Sequence, residues 1–235
     1  MIAAVEQPYF LPYIGYWQLL NAVDSFVILD DVNYIRRGYI NRNSILLNGG
    51  AYRFSIPVKN ASQERKIMDT ALCLEEREKQ RFLLRIELAY KKAPQFSQVY
   101  PLIRDIIYNP QDDLTDFIQY SLRSVAAYLG ITTKVIRSSA LDKDNSLKGQ
   151  ERVMEICKCI NADTYINPPG GRKLYNKQFF HDKNVELFFL DTRHENIVYP
   201  QFGNPFVEKL SLIDVMMFNS IEKIQYFLKE YDLNE

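Results

Sequence analysis

"IAAVEQPYFLPYIGYWQLLNAVDSFVILDD", residues 2–31, decides the fold. Residues 2–6 are a short apolar run that ends on Glu6, and residues 25–31 are a second one that ends on Asp30 and Asp31. Between them Ile14, Trp17, Leu20 and Val23 recur at helical spacing and share one face. Strand, helix and strand within about thirty residues make a βαβ unit. Its crossover is expected to be right-handed and its strands parallel.

Outward from this unit, a polar loop "DDVNYIRRGYINRN" (30–43) leads into "SILL", "NGG" and "AYRFSIPV" (44–58). These read as a β-hairpin, with Asn-Gly-Gly supplying the positive-φ turn. The middle is helical. In "EEREKQRFLLRIELAYKKA" (75–93), Phe82, Leu83, Leu84, Ile86 and Leu88 are assigned to an inner arc, and Arg81, Arg85 and Glu87 to an outer one. Two more amphipathic segments follow near 95–108 and 112–128, with Asp112 or Asp113 as a cap and Gly130 as a stop. After Gly130 the alternation resumes. "TTKVIRSS" (132–139), "DTYIN" (163–167) and "NVELFFLD" (184–191) read as strands, separated by helices in "KGQERVMEICKCINA" (148–162) and "KLYNKQFF" (173–180). The end, "LSLIDVMMFNSIEKIQYFLKEY" (210–231), reads as one broken helix or two, with Ser211 and Asp214 fitting an N-cap and an acid at N3. The expectation is one α/β domain over 1–235. It has a Rossmann-like, nucleotidyltransferase-like parallel sheet of about five strands, a β-hairpin and a helical insert at about 70–128.

At 47% hydrophobic, the 235 residues suffice for a sizeable core. Lys plus Arg equals Asp plus Glu, 29 each, so no global basic field attracts DNA or anionic lipid, and anions must be held by a local cluster. The three cysteines, Cys73, Cys157 and Cys159, form no disulfide framework and no zinc spacing, which fits a reducing compartment. The N-terminus lacks the basic start of a signal peptide, and no window spans a bilayer. A cytoplasmic location without membrane attachment is expected, and no metal site.

In an open parallel sheet, ligands bind beyond the carboxyl ends of the strands. Three polar segments fall there. In "QPYFLPYIGY" (7–16), the turn and Gly15 bring backbone N–H groups to a helix start, where phosphate or carboxylate is attracted. Gln7 and Tyr9 would line the pocket; the same prolines and aromatics would also serve a rigid turn. In 30–43, Arg36, Arg37 and Arg42 with Asn41 and Asn43 suit bidentate anion binding. Asp30 and Asp31 could accept sugar hydroxyls, and Asp31 could act as a base. In "NPPGGRKLY" (167–175), Gly170 and Gly171 allow close backbone approach to an anion, with Arg172 at the helix mouth. This loop fits neither a Walker nor a dinucleotide fingerprint. His194, just beyond the last strand, is a candidate general base.

The first segment resembles the nucleotidyltransferase signature of strand, proline turn and paired histidines that bind a triphosphate. Here no histidine is present, and Tyr16 stands where the last one would be, which makes Tyr16 a candidate catalytic residue. Taken together, "QPYFLPYIGY", "LDDVNYIRRGYINRN", "KGQERVMEICKCINADTYINPPGG" and "LSLIDVMMFN" resemble the WbqC-like proteins of bacterial surface-polysaccharide (lipopolysaccharide O-antigen) gene clusters. The resemblance implies a transferase that adds an acyl or aminoacyl group to the amine of a nucleotide-linked amino sugar. Its donor would be an acyl thioester, an aminoacyl-tRNA or a carboxylate activated by ATP; tRNA would be a partner only as that donor. The alternatives are a nucleotidyltransferase-like nucleotide-activating enzyme and a non-catalytic nucleotide-sugar binding protein.

Overall fold

The computed structural model describes residues 1–235. Its main sheet has six strands: β1 (Ile2–Glu6), β2 (Ser25–Ile28), β5 (Lys134–Arg137), β6 (Thr164–Asn167), β7 (Glu186–Thr192) and β8 (Tyr231–Asn234). Their spatial order is β5-β2-β1-β6-β7-β8. Counted along the chain within this sheet, that is 3-2-1-4-5-6, the order of doubly wound nucleotide-binding folds. The first five are parallel, in line with the sequence reading, and β8 is an added antiparallel edge on β7. The Tyr-Asp-Leu-Asn alternation of β8 is only four residues long and too short a signal by itself; the strand is placed by the ladder to β7 and by the ion pair of Asp232 with Arg193.

Side chains alternate across the sheet and build two cores. Ala4, Phe26, Ile28, Val135, Ile166 and Leu190 join a cluster of 50 buried residues on one face. Ala3, Val5, Val27, Tyr165, Leu187 and Phe189 join a cluster of 13 on the other. The small core is covered by α5 (Gly149–Cys159) and α6 (Lys177–His181). The large one takes in α1 (Ile14–Asn21), α7 (Leu212–Phe218), α8 (Ile221–Phe227) and everything between β2 and β5. That stretch holds a hairpin, β3 (Arg42–Leu47) and β4 (Gly50–Ser55), and the insert α2 (Glu76–Tyr90), α3 (Phe96–Tyr108) and α4 (Leu114–Leu129). Leu47 pairs with Gly50, so Asn48 and Gly49 alone make the turn, both at positive φ (53° and 76°) as a two-residue hairpin demands. Asp113 caps α4 through the Asp116 N–H at 2.9 Å, and Gly130 closes it in the left-handed region.

Two details depart from the sequence reading. Leu84 and Leu88 are 55% and 58% exposed. The buried stripe of α2 is Phe82, Leu83, Ile86 and Tyr90, and at 100° per residue Leu84 and Leu88 lie on the opposite side of the helix. The helix expected over 173–180 begins at Lys177, after a 3-10 turn over Pro169–Lys173. Ser211 caps α7 with Asp214 at N3, as the sequence reads, and Asp214 is fully buried. No helix is long and apolar enough to cross a membrane.

Candidate functional site

The strand order reverses at β1, which places the ligand crevice between the carboxyl ends of β1 and β6. The proline-framed turn leaving β1 forms one wall. Buried carbonyls need partners, and those of this turn are taken by side chains. Tyr16 Oη donates to the Gln7 carbonyl at 3.0 Å and Trp17 Nε1 to that of Pro12 at 3.2 Å. Asn43 Nδ2 and Ser211 Oγ both donate to the Leu11 carbonyl, at 2.7 and 2.6 Å. Leu11 is held at φ 44°, a left-handed conformation that a branched residue keeps only under constraint. Tyr16 and Asn43 are therefore braces of the turn. Tyr16 is buried, its hydroxyl is engaged, and burial raises its phenol well above the usual range. The structure thus places Tyr16, the candidate catalyst, and Asn43, a candidate phosphate ligand, in hydrogen bonds within the turn.

The opposite wall is the 167–175 loop. Asn167 is buried, accepts from Tyr165 Oη at 2.7 Å and donates to the Pro168 carbonyl at 3.0 Å. A Cβ on Gly171 would lie 1.8 Å from Asn167 Nδ2, so Gly171 is there to let this side chain pack. Gly170 faces open space. Arg172 is not free: it forms a bidentate pair with Asp191, with Nη1 to Oδ1 at 2.9 Å, and lies 5.0 Å over the Phe189 ring. This pair fastens the loop to β7. Gly15 packs α1 tightly against β7, since a Cβ there would meet the Tyr13 ring at 2.6 Å and Thr192 Oγ1 at 2.9 Å. A cavity of about 270 Å³ opens here, lined by Tyr13, Gly15, Pro168, Pro169, Thr192 and His194 among others. The fold thus brings Gly15, the Pro-Pro-Gly-Gly loop and His194 together.

At the tip of β1 stands a residue that the sequence reading did not select. Burial pushes the Glu6 carboxyl up to about 7, against a smaller opposing pull from the Gln7 amide. Its charge acts on the phenols of Tyr9, Tyr13, Tyr16, Tyr165 and Tyr175. The Tyr9 ring lies near those of Tyr16 and Tyr39, tilted 35° and 55° to them with centroids at 5.6 and 6.0 Å, and burial with the nearby Glu6 charge pushes its phenol to about 12. The signal was present in the sequence: an acid closing a strand that is otherwise wholly apolar.

The loop from Tyr34 to Arg42 lies alongside the turn, joined by the Phe10 N–H to the Ile40 carbonyl at 3.0 Å. On its other side is a cleft of about 590 Å³ lined by Tyr34, Arg36, Arg37, Asn41, Arg42 and Gln63. None of these arginines pairs with an acid, and Arg42 Nε is buried without a partner. Arg37 is held at φ 67°. Asn41 lines the cleft, but its amide is occupied by Tyr34 Oη and the Ile56 carbonyl, both at 2.7 Å. It therefore shapes the wall.

Asp30 and Asp31 lie elsewhere, at the tip of β2. Asp30 accepts from Arg137, the Ser139 amide and the Ser139 hydroxyl. Asp31 accepts from Lys143 Nζ at 2.6 Å and Ser138 Oγ at 2.9 Å. Burial opposes its ionisation, but Lys143, Ser138 and Arg152 together hold its carboxyl below the usual range. A carboxylate so fully paired pins the loop after β5, and its lowered pKa weakens it as a proton acceptor.

A model of the WbqC-like protein family matches residues 7–226. The chain is 26% identical over 218 residues to the "Uncharacterized protein Rv1507c" of Mycobacterium tuberculosis (strain ATCC 25618 / H37Rv), over 92% of each chain. No solved structure matches it.

Proposed function

The chain belongs to the WbqC-like protein family, and from that premise we propose that it transfers an acyl or aminoacyl group to the amine of a nucleotide-linked amino sugar, in the assembly of a cell-surface polysaccharide such as O-antigen. The observation that carries this reading is the arginine-lined cleft of the 34–42 loop, in a chain whose main sheet has a nucleotide-binding strand order. Guanidinium groups without acid partners are the donors that a diphosphate needs, and their planar forks match phosphate oxygens bidentately. In this reading Arg36, Arg37 and Arg42 hold the diphosphate, while the tyrosines and Gln7 of the turn face the sugar. Tyrosine presents an apolar face with a polar tip, which suits a pyranose ring. The donor is an activated acyl group: a thioester, an aminoacyl ester on tRNA, or a carboxylate activated by ATP.

The test is incubation with a nucleoside diphosphate 2-amino sugar and each donor class, read by mass spectrometry. An acyl mass gain on the sugar is expected with one donor. No gain with any donor, together with no saturable binding of the sugar nucleotide, sinks the reading. Arg36→Ala combined with Arg37→Ala should weaken sugar-nucleotide binding at least tenfold, the equivalent of about 1.4 kcal/mol, as measured by calorimetry.

A further inference from the structure

We propose that the cavity between the end of β4 and helix α2 is a second ligand site, which binds a free α-amino acid with an apolar side chain. The inference goes beyond the functional reading above and does not depend on it. The cavity measures about 320 Å³, at the lower end of the range of small-molecule sites, about 300–1,000 Å³. Glu78, Arg81, Phe82 and Arg85 of α2 line it. They stand at i, i+3, i+4 and i+7, the spacing of one helix face. The facing wall is Ser55, Ile56 and Pro57, with Leu74 from the segment before α2. Backbone hydrogen bonds fix that wall: the Cys73 N–H donates to the Pro57 carbonyl at 2.9 Å, and the Lys59 N–H to the Ala71 carbonyl at 2.8 Å. The Phe82 ring is buried and packs edge-on against Phe54, with centroids 5.2 Å apart. The residue after Pro57, Val58, lines the arginine cleft, so the two cavities share one segment of chain.

The charges of the cavity select the ligand. The Glu78 carboxylate forms no ion pair, and its Oε2 is buried with no hydrogen-bond partner. A buried polar atom left so is costly, and it calls for a donor from outside the chain. An ammonium group supplies that donor together with the opposite charge. Arg81 and Arg85 form no ion pair either. Arg85 lies 5.7 Å over the Tyr52 ring of β4, a contact that steadies its guanidinium. Two planar guanidinium forks suit a carboxylate. An anion alone leaves Glu78 unmet, and a cation alone leaves both arginines unmet. One small molecule with an ammonium beside a carboxylate meets all three, and that is an α-amino acid. Its side chain would rest on the apolar remainder of the wall, Ile56, Pro57, Leu74 and Phe82.

The experiment titrates three probes into the full-length protein, followed by 1H–15N NMR: L-leucine, 4-methylpentanoate, which lacks its ammonium group, and 3-methylbutylamine, which lacks its carboxylate. L-Leucine is expected to bind saturably below about 10 mM, and each analogue at least tenfold more weakly. Glu78→Gln should weaken leucine at least tenfold and leave 4-methylpentanoate within threefold of wild type. Arg81→Gln combined with Arg85→Gln should do the converse, weakening leucine and sparing 3-methylbutylamine. Absence of saturable leucine binding in that range, or binding of either analogue within tenfold of leucine, overturns the inference. So does a Glu78→Gln protein that binds leucine as wild type does, or that loses leucine and 4-methylpentanoate alike, because the carboxylate would then not be meeting the ammonium. Arg36→Ala combined with Arg37→Ala, in the other cleft, should leave leucine binding unchanged; loss of it there would put the amino acid in that cleft and overturn the site. None of these outcomes depends on sugar-nucleotide binding, so the functional reading stands or falls separately.

Discussion

At the scale of single residues, Glu6 and Asp31 are two carboxylates at neighbouring strand tips with opposite treatment. Asp31 is enclosed with Lys143, Ser138 and Arg152, and its carboxyl is lowered. Glu6, partly buried at the tip of β1 and without an ion-pair partner, is raised by desolvation. The consequences for stability have opposite signs. A lowered carboxylate stabilises the fold above its unfolded pKa, and that contribution disappears as pH falls through the folded value. Asp31 therefore acts in the acid range, below about pH 4. Removing its buried partner with Lys143→Met should cost about 3 kcal/mol at pH 7, as measured by urea denaturation; a loss under about 1 kcal/mol would show that the pair carries little. For Glu6 the unfolded chain ionises first, so stability is full below about pH 4.5 and falls as pH rises to about 7. Glu6→Gln should then leave stability at pH 4.5 unchanged and raise it at pH 8 by about 1–3 kcal/mol. Equal stability of the two proteins at pH 8 would contradict the raised value. A residue whose removal stabilises the fold is one kept for a purpose other than folding.

At the scale of elements, the first βαβ unit, the hairpin and the caps at Asp113 and Ser211 were legible because each is fixed by neighbours in sequence. Periodicity, an Asn-Gly pair and a capping side chain act within a few residues of one another. What was not legible depends on distant parts of the chain. Leu84 and Leu88 look like core residues until the insert helices choose the Phe82, Leu83, Ile86 and Tyr90 stripe. Strand β8 exists only as a partner of β7. That Arg172 pairs with Asp191, on another strand, is equally invisible in the sequence. In the site, the sequence pointed to the three segments and to the arginine cluster, while the braces and the free acid could be told apart only by their contacts. The Gly171 position tests how far the loop after β6 depends on such contacts. Gly171→Ala places a methyl 1.8 Å from Asn167 Nδ2 and must expel that side chain from its bond to Tyr165. The expected cost is about 1–3 kcal/mol, with weakened sugar-nucleotide binding in calorimetry. Gly170→Ala, where a Cβ meets nothing within 4 Å, should leave both within error. Equal effects at the two glycines would refute the packing account.

At the scale of the molecule, the insert, the hairpin and helix α7 are tied together by one buried acid. Asp214 of α7 is fully buried and accepts from Tyr90 Oη of α2 at 2.8 Å, Tyr199 Oη at 2.7 Å and Gln201 Nε2 at 2.6 Å. Tyr90 Oη in turn accepts the Leu46 N–H of β3 at 2.9 Å, and Gln201 Oε1 accepts the Val207 N–H at 2.7 Å. Helix α7, the insert, the hairpin and the 199–207 loop thus share one carboxylate, and that loop flanks His194 at the mouth of the crevice. Burial raises this acid, and the three donors pull it back. A donor left buried without an acceptor costs about 1–3 kcal/mol. Asp214→Ala abandons three of them and opens a void, so the loss should exceed about 3 kcal/mol. Asp214→Asn keeps one oxygen and the volume, and should cost clearly less. If the acid only filled space, the two variants would rank by volume alone and Asp214→Leu would rescue the fold. If it is the knot that the contacts describe, Asp214→Leu will be as damaging as Asp214→Ala, because neither gives Tyr90, Tyr199 or Gln201 an acceptor. Chemical denaturation of the three variants, run beside sugar-nucleotide binding, separates these outcomes, and loss of binding ahead of global unfolding is expected, since the 199–207 loop is the part most dependent on the knot.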